Sequence, residues 1–189
     1  MTAPPRLTAA ALVQLPAAVQ RPAYALDKVG IGIVHLGPGA FHRAHQAWFV
    51  DELLAHDPRW AISAVALRSD ALAAALAPQD GLYTVAVLDR DIRYRVIGAL
   101  RERLVANGQL DQALARMAAR ETHLVTLTVT EKGYCLDRDG VLDLDHPDIR
   151  HDLAAPGQPV SAIGVLVEAL RPWRMPGYRL RLPTAAPSP

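Results

Sequence analysis

Apolar positions along the chain recur with two periods. Residues 31–36, 61–67 and 123–129 are short runs rich in β-branched side chains, the pattern of strands covered on both faces. Between them apolar residues fall at helical spacing. In residues 40–54 they are Phe41, Ala44, Ala47 or Trp48, and Leu54, with His42, Arg43, Gln46, Asp51 and Glu52 mostly between. Further helices are predicted over 71–77, over 109–119 with Leu110, Ala113, Leu114 and Met117 on one face, and over 161–170. Residues 82–88 and 92–100 read as two strands joined at Asp89-Arg90-Asp91, a hairpin. Strand and helix alternation predicts an α/β fold, a doubly wound, mostly parallel sheet interrupted by one β-hairpin. Residues 1–28 carry four prolines around an alanine-rich piece, 8–13, long enough for a helical turn or two, and read as a surface arm.

The first strand ends at Gly37-Pro38-Gly39 and the chain turns directly into the first helix. Glycines there allow a sharp turn and a close approach of ligand to backbone, and a helix start attracts anions. The third glycine of a dinucleotide fingerprint is missing, with His42 in its place. At the end of the second strand, Arg68 occupies the position where a dinucleotide fold reads the adenosine ribose. An acid suits the 2′-hydroxyl and an arginine a 2′-phosphate, with Asp70 only two residues on. Glu131 and Lys132 follow the 123–129 strand as neighbours expected to face opposite sides, so they do not form an acid–base pair.

Two groups raise the question of a metal. Residues 143–152 gather Asp and His, but Pro147 and the absence of helical register are expected to scatter them. His42 and His45 flank Arg43 in a way that suits phosphate contact and packing. No metal site is expected.

A net charge of +1 on 189 residues, 51% of them hydrophobic, describes a chain with apolar mass for one core and no basic stripe for nucleic acid. No apolar run is long enough for a membrane span. A single cysteine, Cys135, excludes an internal disulfide and suits a reducing, cytoplasmic setting.

The segment HLGPGAFHRAHQA, residues 35–47, resembles the cofactor loop of the mannitol dehydrogenase family. That family comprises polyol dehydrogenases and hexuronate reductases that use NAD or NADP. Its loop has the form G-x-G-x-F-H-R-A-H, and Gly37, Gly39, Phe41, His42, Arg43, Ala44 and His45 match it. PQDGLYT (78–84), VIG (96–98), TVTEKGY (128–134) and SAIGVLVEAL (161–170) match as well, so the resemblance covers residues 24–170.

The resemblance implies a Rossmann-type domain over 29–170, with the hairpin as a family insertion. It also implies a cofactor contact set of Ile33, Val34, His35, Leu36, Gly37, Pro38, Gly39, Ala40, Phe41, His42, Arg43, Ala44 and Arg68. The family's reaction moves a hydride between the carbinol carbon of a polyol, or the keto carbon of a ketose or keto acid, and the nicotinamide. Its lysine, asparagine and histidine belong to a strand and a helical domain that this chain does not match, so no catalytic residue is assigned here. Residues 171–189, rich in Arg and Pro, depart from the family and are expected to be disordered. The chain alone is expected to bind cofactor without turnover. A non-catalytic nucleotide-binding fragment of a truncated or frameshifted gene is the alternative.

Overall fold

The computed structural model describes residues 6–171. Four parallel strands form the central sheet: β2 (Ile31–Leu36), β3 (Ala61–Ala66), β6 (Leu100–Val105) and β7 (Leu124–Leu127), in the order β6-β3-β2-β7. A three-stranded sheet stands beside it. In this smaller sheet β5 (Arg93–Ile97) pairs antiparallel with β4 (Tyr83–Val87) and parallel with β1 (Val19–Gln20). The helices are α1 (Ala40–Ala44), α2 (Gln46–Leu53), α3 (Ala71–Leu76), α4 (Ala106–Ala118), α5 (Pro147–Ala154) and α6 (Ala162–Leu170).

Strand side chains alternate between faces, which divides the core in two. Ile33, Ile62 and Ala64 pack with Ala47, Val50 and Leu54 of the α2 side, together with Leu76 and Leu100. Val34, Leu36 and Val65 pack on the other face with Ala113 and Met117 of α4 and with Val165 and Ala169 of α6. The chain runs outward from β2 through β3 to β6 and then returns past β2 to β7. The order of strands therefore reverses at β2, which leaves a crevice beyond its carboxyl end.

Several elements differ from the sequence expectation. The predicted 92–100 strand splits: β5 ends at Ile97, Gly98 and Ala99 intervene, and β6 joins the main sheet. Gly98 lets the N-terminal segment pack closely against this link, since a Cβ there would stand 2.7 Å from the Leu26 side chain. The alternating apolar and charged LRERLV of β6 was hidden by reading Leu100 as the end of the hairpin. The expected arm is partly built into the fold, with a 3-10 turn at Ala10–Gln14 and β1 paired to β5. The predicted helix over 40–54 breaks at His45 into α1 and α2. In α4, Asn107, Gly108 and Gln109 leave helical geometry, so regular turns begin close to where the apolar spacing predicted. Pro147 does not disperse the acidic segment; it opens α5, where a proline's missing N–H is harmless. Glu131 and Lys132 sit in a 3-10 turn, Glu131–Tyr134, rather than on a strand. The Arg/Pro-rich tail lies outside the described residues apart from Arg171, which ends α6.

Candidate functional site

A groove of about 840 Å³ opens at the carboxyl ends of β2, β3 and β7. Its floor is the turn Gly37-Pro38-Gly39, and Arg43, Arg68 and Lys132 bring three cations to its walls. Gly37 is in the left-handed region, at φ 79°, and a Cβ there would lie 2.5 Å from the Thr128 carbonyl oxygen. Gly39 is different: a Cβ would meet only the Gly37 carbonyl oxygen at 3.8 Å, so packing within the chain does not require glycine there. The bare backbone at Gly39 keeps the groove open to a ligand instead.

The Gly39 amide donates to the Gly37 carbonyl and the Arg43 amide to the Gly39 carbonyl. No side chain caps α1, so the amides of Ala40, Phe41 and His42 have no acceptor in the helix. Arg43 Nη1 donates to the Pro38 carbonyl at 2.7 Å, which fixes a positive charge across the turn, and the Tyr83 hydroxyl donates to the Arg43 carbonyl. With α1 only one turn long, free amides and arginines supply more of the anion attraction than a helix dipole does.

A directed chain of hydrogen bonds holds the turn from beneath. Thr128 Oγ1 donates to the Gly37 carbonyl at 2.9 Å, so its oxygen accepts from His35 Nε2, also at 2.9 Å. His35 therefore carries its proton on Nε2. Its Nδ1 accepts from Thr126 Oγ1 at 2.7 Å, and Thr126 in turn accepts from the Gln46 amide.

His42 stacks on His35 with ring centroids 3.5 Å apart, and neither of its buried nitrogens has a partner among the described residues. Burial keeps both imidazoles neutral: it pulls His35 down to about 4, and burial with the neighbouring His35 and Arg43 pulls His42 down to about 3. This corrects the amphipathic reading of the first helix, in which Phe41 faced the core and His42 did not. Phe41 is 68% exposed and His42 is fully buried. The break at His45 rotates α1 relative to α2, and a ring that can stack on His35 fits the interior slot.

Of the expected contact residues, Gly37, Pro38, Gly39, Arg43 and Arg68 line the groove. Ile33, Val34, His35 and Leu36 form the buried strand that leads to it. Ala40, Phe41, His42 and Ala44 belong to α1 but are not in the groove wall, and His42 acts from beneath. Sequence reasoning missed Ser69, Cys135, His146, Asp148 and Ser161, which tertiary folding brings to the same wall. Cys135, His146 and Asp148 place potential ligand atoms within 4.8 Å of one another. Two of the three already have partners. His146 Nδ1 accepts from the Asp148 amide, which leaves the proton on Nε2, and the Asp148 carboxylate is engaged by Arg68 at 2.5 Å.

Gly37→Ala is expected to lower stability by about 2 kcal/mol or more, combining left-handed strain with the Thr128 clash. A thermal melt within a degree of wild type would show that the turn can relax.

The Mannitol dehydrogenase Rossmann domain profile matches residues 31–178. A Polyol:NADP oxidoreductase of Gluconobacter oxydans is 38% identical over 172 residues, covering 87% of this chain and 36% of that protein. The D-mannonate oxidoreductase of Escherichia coli is 44% identical over 170 residues, covering 85% and 35%. The solved Pseudomonas fluorescens mannitol 2-dehydrogenase, a ternary complex with NAD and D-mannitol, superposes with a TM-score of 0.82 at 40% identity over 87% of this chain and 35% of that one. The chain spans about a third of the length of these relatives. The glycine turn at the reversal of a parallel sheet, the family profile and these identities together establish that the chain belongs to the mannitol dehydrogenase family, through its Rossmann domain.

Proposed function

We propose that the groove binds NAD or NADP, and that the chain is the cofactor-binding part of a cytoplasmic oxidoreductase acting on a polyol or hexuronate. The observation that carries this reading is the open backbone at Gly39 beside Arg43 in the groove floor, a surface suited to a diphosphate. The mannitol 2-dehydrogenase complex with NAD and the Polyol:NADP oxidoreductase among the relatives support a nicotinamide dinucleotide. When bound, that cofactor accepts or gives the hydride.

The protein's own residues orient it. The glycine turn with Arg43 would hold the diphosphate, and the end of β3 with Arg68 would receive the adenosine ribose. His35 and Thr128 keep the Gly37 carbonyl in place beneath. No metal enters this reading. The histidines nearest the turn are sealed and neutral, so neither exchanges protons with a bound alcohol. Turnover by the 189-residue chain alone is expected to be undetectable when NADH or NADPH absorbance is followed with mannitol or fructuronate.

Calorimetric titration of the purified chain with NAD+ and, separately, NADP+ tests the binding. Saturable heat with either nucleotide is the expected result. Absence of binding to both would remove the cofactor reading and leave only the family relationship.

A further inference from the structure

Resting on the dinucleotide reading above, we propose that Asp148 is a determinant of NAD against NADP preference, acting on the ribose 2′ position together with Arg68. In dinucleotide folds an acid that reads the ribose hydroxyls normally comes from the end of the second strand. Here β3 ends in Arg68, and the nearby acid Asp70 is exposed and does not line the groove. Among the described residues, the carboxylate in the groove wall is Asp148, from the first turn of α5, 80 residues further along. It accepts from Arg68 Nη2 at 2.5 Å.

The two partners differ in freedom. The Arg68 side chain is 72% exposed and stands between this groove and a second cavity of about 830 Å³, which it also lines. The Asp148 side chain is 28% exposed, and its backbone amide is held by His146 Nδ1. The exposed Arg68 side chain is thus the freer partner, and the backbone that carries Asp148 is anchored.

A ribose 2′-hydroxyl can donate to the Asp148 carboxylate. A 2′-phosphate, carrying close to two negative charges, needs the Arg68 guanidinium but meets the Asp148 carboxylate beside it. While paired, Asp148 holds Arg68 and disfavours NADP by like-charge repulsion. Asp148→Asn keeps the shape, removes the charge and releases Arg68.

The experiment is calorimetric titration of NAD+ and NADP+ into the wild-type chain and into D148N, R68A and D70N, each checked for folding by circular dichroism. D148N is expected to shift the ratio of the two Kd values at least tenfold toward NADP+. R68A is expected to weaken NADP+ at least tenfold more than NAD+, and D70N to leave the ratio within twofold. Binding of both nucleotides with a D148N ratio within twofold of wild type would overturn the role of Asp148. A shift carried by D70N instead would overturn it too. Should D148N fail to fold, R68A decides: equal weakening of both nucleotides overturns the pair as a reader of the 2′ position. Loss of binding of both nucleotides by the wild-type chain would be a different failure, removing the dinucleotide reading itself.

Discussion

Asp51→Ala is expected to lower folding stability by about 3 kcal/mol, the cost of removing the buried member of an ion-pair and hydrogen-bond network. Asp51 is 1% exposed and lies on the inner side of α2. Its Oδ2 accepts from Arg95 Nη2 at 2.9 Å, and its Oδ1 accepts from the Tyr24 hydroxyl at 2.5 Å and the Gly98 amide at 2.8 Å. One carboxylate thus joins three separate pieces of chain: the segment before β2, the hairpin strand β5 and the link into β6. Burial and the neighbouring Asp51 push the Tyr24 phenol well above its usual range, so it remains a donor at any working pH. Arg95 also lies 4.8 Å from the Trp48 ring centroid, which positions its guanidinium for the pair.

Loss of Asp51 leaves Arg95 paired only with the half-exposed Glu52, whose Oε1 accepts from Arg95 Nη1 at 2.6 Å, and strands two donors at once. For a domain of this size the melting temperature should fall by about 10 °C. Urea unfolding followed by circular dichroism measures it directly. A loss below about 1 kcal/mol would mean that desolvation of the pair cancels its attraction.

The second large effect is a loss of stability on mild acidification. His35 and His42 resist protonation in the folded protein until about 4 and 3, whereas an unfolded histidine takes its proton near 6.5. Below that value the unfolded chain binds more protons than the folded one, so the contribution is fully present above about 6.5 and fades as pH falls. Over the roughly 1.5 pH units down to about pH 5, each histidine contributes a loss of about 2 kcal/mol, about 4 kcal/mol for the two. Unfolding free energies at pH 7, 6 and 5 should trace this decline. His42→Phe should roughly halve the slope, because it keeps a ring against His35 while removing one titrating group and its two unpaired nitrogens. A flat profile between pH 6.5 and 5 in the wild type would contradict the neutral stack.

Elements with strong local patterns were legible from residues alone. The runs that became β2, β3 and β7 are short, β-branched and bounded by turn residues, so their strand character depends on little beyond themselves. The glycine turn was legible for the same reason, and Gly37 adopts the positive φ that a glycine allows. β6 was not, because its charged residues only make sense once its neighbour β3 is known. The inward turn of His42 was also hidden, since its slot is made by His35 across the glycine turn and by the break at His45.

The site divides along the same line. The order of amino acids by itself determined the alternation of strands and helices, the position of the glycine turn and the resemblance of its cofactor loop, all set by residues within a few positions of each other. Only the tertiary structure decided which carboxylate meets Arg68, which hydroxyls set the His35 tautomer and which carboxylate joins the hairpin to α2. The physical reason is sequence distance. Asp148 lies 80 residues from Arg68, Thr128 lies 93 from His35 and Arg95 lies 44 from Asp51. Pairings of that kind form when the sheet brings strand ends together, and no local periodicity encodes them.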